Sequence, residues 1–250
     1  MRGWLVAAVL VLLTTSAQSQ VTSVGFWNFD EGSGTVAADS SGEANHGNVS
    51  GATWIGGAQG PHALGFDVNA GVYMGNRSSL EPTTLSVGMC VRSSTHQTYK
   101  LLLSEGLHGC ACASYALVKD GQGSVYFYTC NDTEAYFTTK ILSAEVWDGK
   151  WHRIVATWDG GFVRIYLDGM PVGAPVAGVA PNYSLSTHSD FQVGNLATCS
   201  LSGFRGDIDE VGVWDGVLSD SEVEALGDCN QLLEDGFESG DTTSWTAAIP

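Results

Sequence analysis

The sequence predicts an all-β chain folded as a two-sheet antiparallel β-sandwich of jelly-roll type. Three observations predict it. Short runs rich in Val, Ile, Leu, Phe, Tyr and Trp recur along the chain, separated by turn signals. No long helical period and no internal repeat interrupts that succession. The composition also suits a fold with many turns, with 32 glycines and only 15% charged residues. At 250 residues and 44% hydrophobic, the chain can build one such sandwich with tails.

The clearest element is the stretch 148–173, which reads as a β-hairpin about Asp159-Gly160-Gly161. With Gly160-Gly161 as a two-residue loop, Trp158 faces Val163, Ala156 faces Ile165 and Ile154 faces Leu167. The other face pairs Val155 with Tyr166, Thr157 with Arg164 and Arg153 with Asp168. That register separates an apolar face from a face expected to look outward.

The other elements follow in order. Val24 to Phe29 is a first strand, and Asp30 to Asn48 is a polar, glycine-rich loop. Ala52 to Ile55 is a short strand, followed by strands over Ala63 to Val68 and Gly71 to Met74. Leu85 to Arg92 alternates, with Leu85, Val87, Met89 and Val91 on the core face and Ser86, Gly88, Cys90 and Arg92 on the other. Strands over Leu101 to Glu105, Ala113 to Val118, Val125 to Cys130 and Tyr136 to Leu142 continue the series. Phe191 to Asn195 and Asp207 to Trp214 end it.

The termini read differently. Arg2, the apolar run Trp4 to Leu13 and the small residues about Ala17-Gln18-Ser19 form a signal peptide, residues 1–19, with the mature chain starting at Gln20. The expected location is secreted, cell-surface or periplasmic, with no membrane insertion after cleavage. The folded domain spans 20–227, and 228–250 is a mobile or edge-docked tail with too few apolar residues for a core. Six cysteines in an exported chain favour disulfides over metal ligation. Six allow 15 connectivities. Only Cys112 with Cys130 has a local argument, because the turn Asp120-Gly121-Gln122-Gly123 folds one back beside the other.

Three motifs carry a resemblance. Phe26-Trp27-Asn28-Phe29-Asp30-Glu31-Gly32-Ser33-Gly34 opens the domain. Trp151-His152 enters the hairpin, and Ile165-Tyr166-Leu167-Asp168-Gly169 leaves it. Ile208-Asp209-Glu210-Val211 and Leu218-Ser219-Asp220-Ser221-Glu222-Val223 close it. In this order, over about Thr22 to Gly227, they resemble laminin-G-like domains, the concanavalin A-like lectin jelly rolls. The resemblance implies the fold; the fold itself hosts lectins, adhesion modules and hydrolases. The segment 235–245 resembles a tail found on secreted bacterial proteins.

The net charge of −17 repels a phosphate backbone and disfavours an anionic membrane as partner. The oxygen-rich turn Asp39 to Asn45 has the donors that calcium takes, and the resemblance implies one structural Ca2+ held by Asp39, Asn45 and Asp209. An Asx-turn without metal explains the same residues. Paired acids are the requirement for glycoside hydrolysis, and Asp207-Ile208-Asp209-Glu210 is the nearest approach to them; the six histidines are scattered. No catalytic residue is assigned, and a glycan-cleaving hydrolase of the same sandwich class stands as the alternative, beside a structural envelope or adhesion component. Sugars stack on exposed aromatic faces. Tyr126 and Tyr128 share one face of a strand, and Arg164 and Tyr166 the outward face of the hairpin. These four are the candidate ligand-binding residues, for a glycan or a cell-surface protein.

Overall fold

The computed structural model describes residues 21–95, 100–106, 112–131, 134–184, 190–195 and 203–229. In chain order the strands are β1 Thr22–Trp27, β2 Val36–Ala37, β3 Gly47–Ser50, β4 Thr53–Gly56, β5 His62–Phe66 and β6 Gly71–Asn76. Then come β7 Leu85–Arg92, β8 Lys100–Glu105, β9 Tyr115–Lys119, β10 Val125–Cys130 and β11 Ala135–Phe137. After helix α1 Ser143–Val146 follow β12 Trp151–Trp158, β13 Phe162–Leu167, β14 Met170–Pro171, β15 Val176–Ala177, β16 Asp190–Val193 and β17 Gly206–Asp215, then helix α2 Asp220–Ala225. The front sheet has the order β14-β13-β12-β7-β17-β5-β4, with β1 also on β17 and β15 also on β13. The back sheet runs β11-β10-β9-β8-β16-β6-β3-β2. All pairs are antiparallel, and the result is the expected sandwich.

Side chains of alternate residues from both sheets fill the space between them. Leu64, Val87, Met89, Ile154, Ile165 and Val213 come from the front; Val72, Leu103, Leu117, Phe127, Phe191 and Val193 come from the back. Trp27 stacks on Phe191 at 5.4 Å and joins the two. Each such side chain contributes about 1.5–3 kcal/mol when taken fully out of water.

The hairpin β12–β13 has the register expected from its sequence, from Ile154 opposite Leu167 to Trp158 opposite Val163. Asp159 N–H donates to the Phe162 carbonyl across the two-residue loop, and the Asp159 carboxylate accepts from Gly161 and Phe162 N–H. Arg153 and Asp168 stand opposite each other as expected: Asp168 N–H donates to the Arg153 carbonyl and Arg153 N–H to Asp168 Oδ1, while the Arg153 guanidinium Nε donates to the Gly227 carbonyl. One expectation fails here, because the second face does not look outward. Val155 and Tyr166 are buried under Leu218 and Val223, because the segment around α2 folds back over the front sheet. Ser219 caps α2, accepting from Glu222 N–H while the Glu222 carboxylate accepts from Ser219 N–H.

Two short strands, β2 and β3, lie where the sequence suggests only loop, and the expected strand over Tyr136 to Leu142 shortens to β11 and an isolated bridge at Ile141. Cys112 and Cys130 form a disulfide. A second bond joins Cys90 to Cys229, in the segment that follows α2. Cys110 and Cys199, residues 1–19 expected as a signal segment, and residues 230–250 lie outside the described residues.

Asp168 takes a left-handed φ of 49° and places its carboxylate over the hairpin mouth. Its Oδ1 accepts from Arg153 N–H, and Oδ2 lies 2.7 Å from His152 Nδ1. Asp148 sits 3.1 Å from His152 Nε2. The Asp168 bond, and less so Asp148, raise the His152 pKa above its ordinary value against the opposing effect of burial. A raised pKa means that the folded state binds the proton more tightly. The stabilisation is therefore complete below the unfolded pKa of about 6.5 and fades as pH rises through the folded value. Asp168→Asn keeps a residue type that tolerates left-handed backbone and removes the charge. We expect urea unfolding to show a loss of about 1–2 kcal/mol at pH 5.5 that shrinks at pH 8.5. An equal loss at both pH values would exclude the imidazolium.

Candidate functional site

The outer face of the back sheet carries the main concentration of aromatic side chains outside the core. Tyr126 and Tyr128 are two apart on β10 and point the same way. The register sets Phe137 of β11 opposite Tyr128. The three rings form a triangle, with centroids at 6.3 Å for Tyr126–Tyr128, 5.3 Å for Tyr126–Phe137 and 5.6 Å for Tyr128–Phe137. Leu101, Ala113, Ala116 and Val118 form the floor under the tyrosines. Phe137 is 47% exposed, and Tyr136 beside it is also at the surface. Ala113 N–H donates to the Tyr128 hydroxyl, and burial pushes that phenol up to about 12. It stays neutral at any physiological pH. Lys140 Nζ lies 5.5 Å from the Tyr126 centroid while paired to Asp120 at 2.6 Å. The Cys112–Cys130 bond fixes the end of β10 that follows Tyr128. The surface is thus apolar, edged by a cation and held by a covalent link.

Arg164 and Tyr166 do not join it. They belong to the front sheet, so the two pairs of candidate residues lie on opposite faces of the sandwich. Tyr166 is buried, and its hydroxyl donates to Asp220 Oδ1 at 2.8 Å. Burial and that bond push its phenol up to about 12. Arg164 pairs with Asp159 at 2.8 Å. Both border a cleft of about 210 Å³ between Pro171–Pro175 and the start of α2. The sequence pattern shows the alternation of this hairpin and not that α2 covers it.

The expected calcium donors Asp39, Asn45 and Asp209 take part in two hydrogen-bonded networks. Asp39 and Asn45 do meet, but through hydrogen bonds. The Asp39 carboxylate accepts from Phe26, Ser41 and Asn45 N–H and from the Ser41 hydroxyl. Burial alone would raise its pKa; these donors outweigh burial and hold it below the usual range. Asn45 Nδ2 donates to the Val24 carbonyl and to the Ser79 hydroxyl. Asp209 has other partners, accepting from Ala58, Gln59 and Glu210 N–H. Among the described residues no three or more His, Cys, Asp or Glu side chains are grouped to hold a metal. Asp39 and Asp209 instead pin two loops to β1 and β17 with amide hydrogen bonds.

The acids considered for hydrolysis are also spoken for. Asp207 pairs with Arg92 at 2.7 Å. Asp209 is fully buried, and burial pushes it and Glu210 up to about 7, with Arg153 the cation that offsets Glu210.

A family profile described as the concanavalin A-like lectin/glucanases superfamily matches residues 64–224. The chain belongs to that superfamily. Solved structures agree on the fold at low identity. Domain 4 of AbnA, a GH43 extracellular arabinanase from Geobacillus stearothermophilus in complex with arabinotriose, is 18% identical with a TM-score of 0.62, covering 84% of this chain and 100% of that domain. Trypanosoma rangeli sialidase in complex with sialic acid is 20% identical with a TM-score of 0.63, covering 82% of this chain and 32% of the sialidase. The binding domain of botulinum neurotoxin DC in complex with rat synaptotagmin II is 11% identical with a TM-score of 0.60, covering 82% of this chain and 51% of that one. No curated protein matches the sequence. Among the described residues no helix is long and apolar enough to cross a membrane.

Proposed function

We propose that this superfamily member is an exported, noncatalytic module that binds carbohydrate through the outer face of β10 and β11. The observation that carries the reading is the triangle of Tyr126, Tyr128 and Phe137, partly open to solvent on a floor of aliphatic side chains. A sugar presents its C–H face to such rings and gains area without desolvating its hydroxyls. The arabinotriose complex of a domain with the same fold supports a sugar as the ligand class. The disulfides and the apolar leader support export. The noncatalytic reading rests on Asp207 and Asp209, one held by Arg92 and the other enclosed with amide donors, so that they do not face one cleft as a hydrolytic pair must.

A glycan array followed by titration calorimetry tests this. Phe137 is half-exposed, so Phe137→Ala spares the core. We expect Phe137→Ala and Tyr126→Ala each to weaken sugar binding by about 1–2 kcal/mol, roughly 5–30-fold, with an unchanged unfolding midpoint for Phe137→Ala. Full affinity in both variants would remove the aromatic face from the site. An array with no binding at all would point to a protein partner instead.

A further inference from the structure

In this acidic chain, cations gather at one end of the sandwich. Arg92 ends β7, Lys100 begins β8, Lys119 ends β9 and Arg205 precedes β17. The whole sequence has only 10 Lys and Arg against 27 Asp and Glu, and four of those ten lie at this end, accompanied by Asp67, Asp120 and Asp207. Lys100 and Lys119 are register partners across β8 and β9. Residues 117 and 125 point into the core, and alternation turns Lys119 the same way. Lys119 is 1% exposed. Its ammonium sits 3.8 Å from the Trp147 ring centroid and 5.8 Å from that of Phe204. Among the described residues it has no hydrogen-bond partner. A buried charge without a partner is costly and rare. Burial, and then repulsion from Lys100, lower the Lys119 pKa to about 8, so most of the side chain is still charged at pH 7.

The carboxylates of this end are engaged elsewhere. Asp207 holds Arg92, Asp120 holds Lys140 and Asp67 holds Arg205. Segments 96–99 and 196–202, which border Lys100 and Phe204 in sequence, contain no Asp or Glu. The buried carboxylate of Glu105 stands at the opposite end of β8, roughly 17 Å away at about 3.3 Å per residue. An open cleft of about 260 Å³ lies at the cationic end, lined by Arg92, Ser93, Ser94, Thr95, Arg205 and Asp207 among others. Arg92 lies over the Trp151 ring at 4.6 Å and uses Nε for Asp207. Its two terminal nitrogens are the natural fork for a carboxylate.

We propose that this cleft is a subsite for one carboxylate-bearing sugar, a uronic acid residue, with Arg92 and Arg205 at its walls and Lys119 behind it supplying a fixed positive potential. The cleft holds one sugar ring rather than a run of them. The surrounding charge of −17 disfavours a long polyanion and leaves a single acidic unit as the ligand that gains. The proposal deepens the carbohydrate reading and rests on it for the sugar, though not for the anion.

The experiment titrates the full chain with galacturonate and, separately, with galactose, and follows the Trp147 indole N–H by NMR. That group donates to the Gly123 carbonyl beside Lys119 and reports locally. We expect galacturonate to bind at least about tenfold more tightly than galactose, with the preference falling below about twofold in Arg92→Gln and in Lys119→Met. Lys119→Met replaces a buried ammonium by an apolar chain of similar shape, so loss of folding is not the expected outcome. Tyr126→Ala should leave binding at this cleft unchanged, because Tyr126 faces outward from the back sheet and the cleft is built on the front sheet. Equal binding of the two sugars, or a preference that survives in both variants, overturns the subsite and leaves the aromatic site untouched. If neither sugar binds but acetate shifts the Trp147 signal, and does not in Lys119→Met, the anion site stands and the carbohydrate reading falls. If acetate leaves that signal unmoved as well, the anion site falls too.

Discussion

Trp27→Ala will lower the free energy of unfolding by about 4–6 kcal/mol, read from the urea midpoint at constant slope. The ring is fully buried and stacks on Phe191 across the interior. Truncating a buried tryptophan costs about 3–5 kcal/mol through lost transfer energy and the cavity left behind. A second loss adds to it. The indole N–H donates to the Asn45 carbonyl at 2.9 Å, and that carbonyl becomes a buried acceptor without a donor. Asn45 in turn is held by the Asp39 carboxylate, so the perturbation reaches the turn that links β2 to β3. Against a typical domain stability of about 5–15 kcal/mol the variant loses much of its margin. Trp27→Phe separates the two terms, since it keeps most of the stack and removes only the donor. A loss under about 2 kcal/mol for Trp27→Ala would mean that the sheets do not meet through this ring.

The same ring shows why the fold was legible. Trp27 lies in a strand whose successive side chains take opposite faces, and so do Leu85 to Arg92 and the hairpin β12–β13, whose register follows from placing two glycines in a two-residue loop. A period of two with a fixed turn leaves one arrangement that sorts the faces. Where that period was short the reading failed. Strands β2 and β3 hold few apolar residues and exist because β6 offers a partner edge, a tertiary cause that local sequence does not carry.

The candidate site was legible in half. Tyr126 and Tyr128 are recognised as a pair by spacing alone, and the structure adds Phe137 to them through a register that only the folded sheet defines. Arg164 and Tyr166 show the same spacing, but Tyr166 is buried by α2, which arrives from more than 50 residues downstream (Tyr166 to Asp220), and Arg164 is held by Asp159. Alternation reports which face a residue takes and is silent about what covers that face. The oxygen-rich turn at Asp39 was ambiguous for a related reason. An Asp-rich turn is equally a set of acceptors for backbone N–H groups, and Asp39 meets four donors before any cation. The cationic end was invisible because its members lie on separate strands between positions 92 and 205.

The Cys90–Cys229 bond gives the other large expected effect. It joins residues 139 apart and so removes far more freedom from the unfolded chain than Cys112–Cys130, which joins residues 18 apart. By the chain-entropy estimate the long closure is worth about 5 kcal/mol and the short one about 3. Cys90→Ala with Cys229→Ala should therefore cost about 2 kcal/mol more than Cys112→Ala with Cys130→Ala. The native geometry gives no reason for the opposite order. Cys229 packs with Ala58, Ala63 and Trp151, and the segment before it is held independently by Arg153 on the Gly227 carbonyl and Gln59 on the Asp228 carbonyl. The segment can thus stay docked on β7 without the covalent link, and the loss comes from the unfolded state. Urea unfolding of both double variants measures the difference, and a steeper denaturant slope for the Cys90/Cys229 pair is the accompanying sign of a more expanded unfolded chain. If the short-loop pair proved the more costly, closure entropy would not be what these bonds supply. The stabilisation would then reside in native packing around Cys112 and Cys130, next to the aromatic face itself.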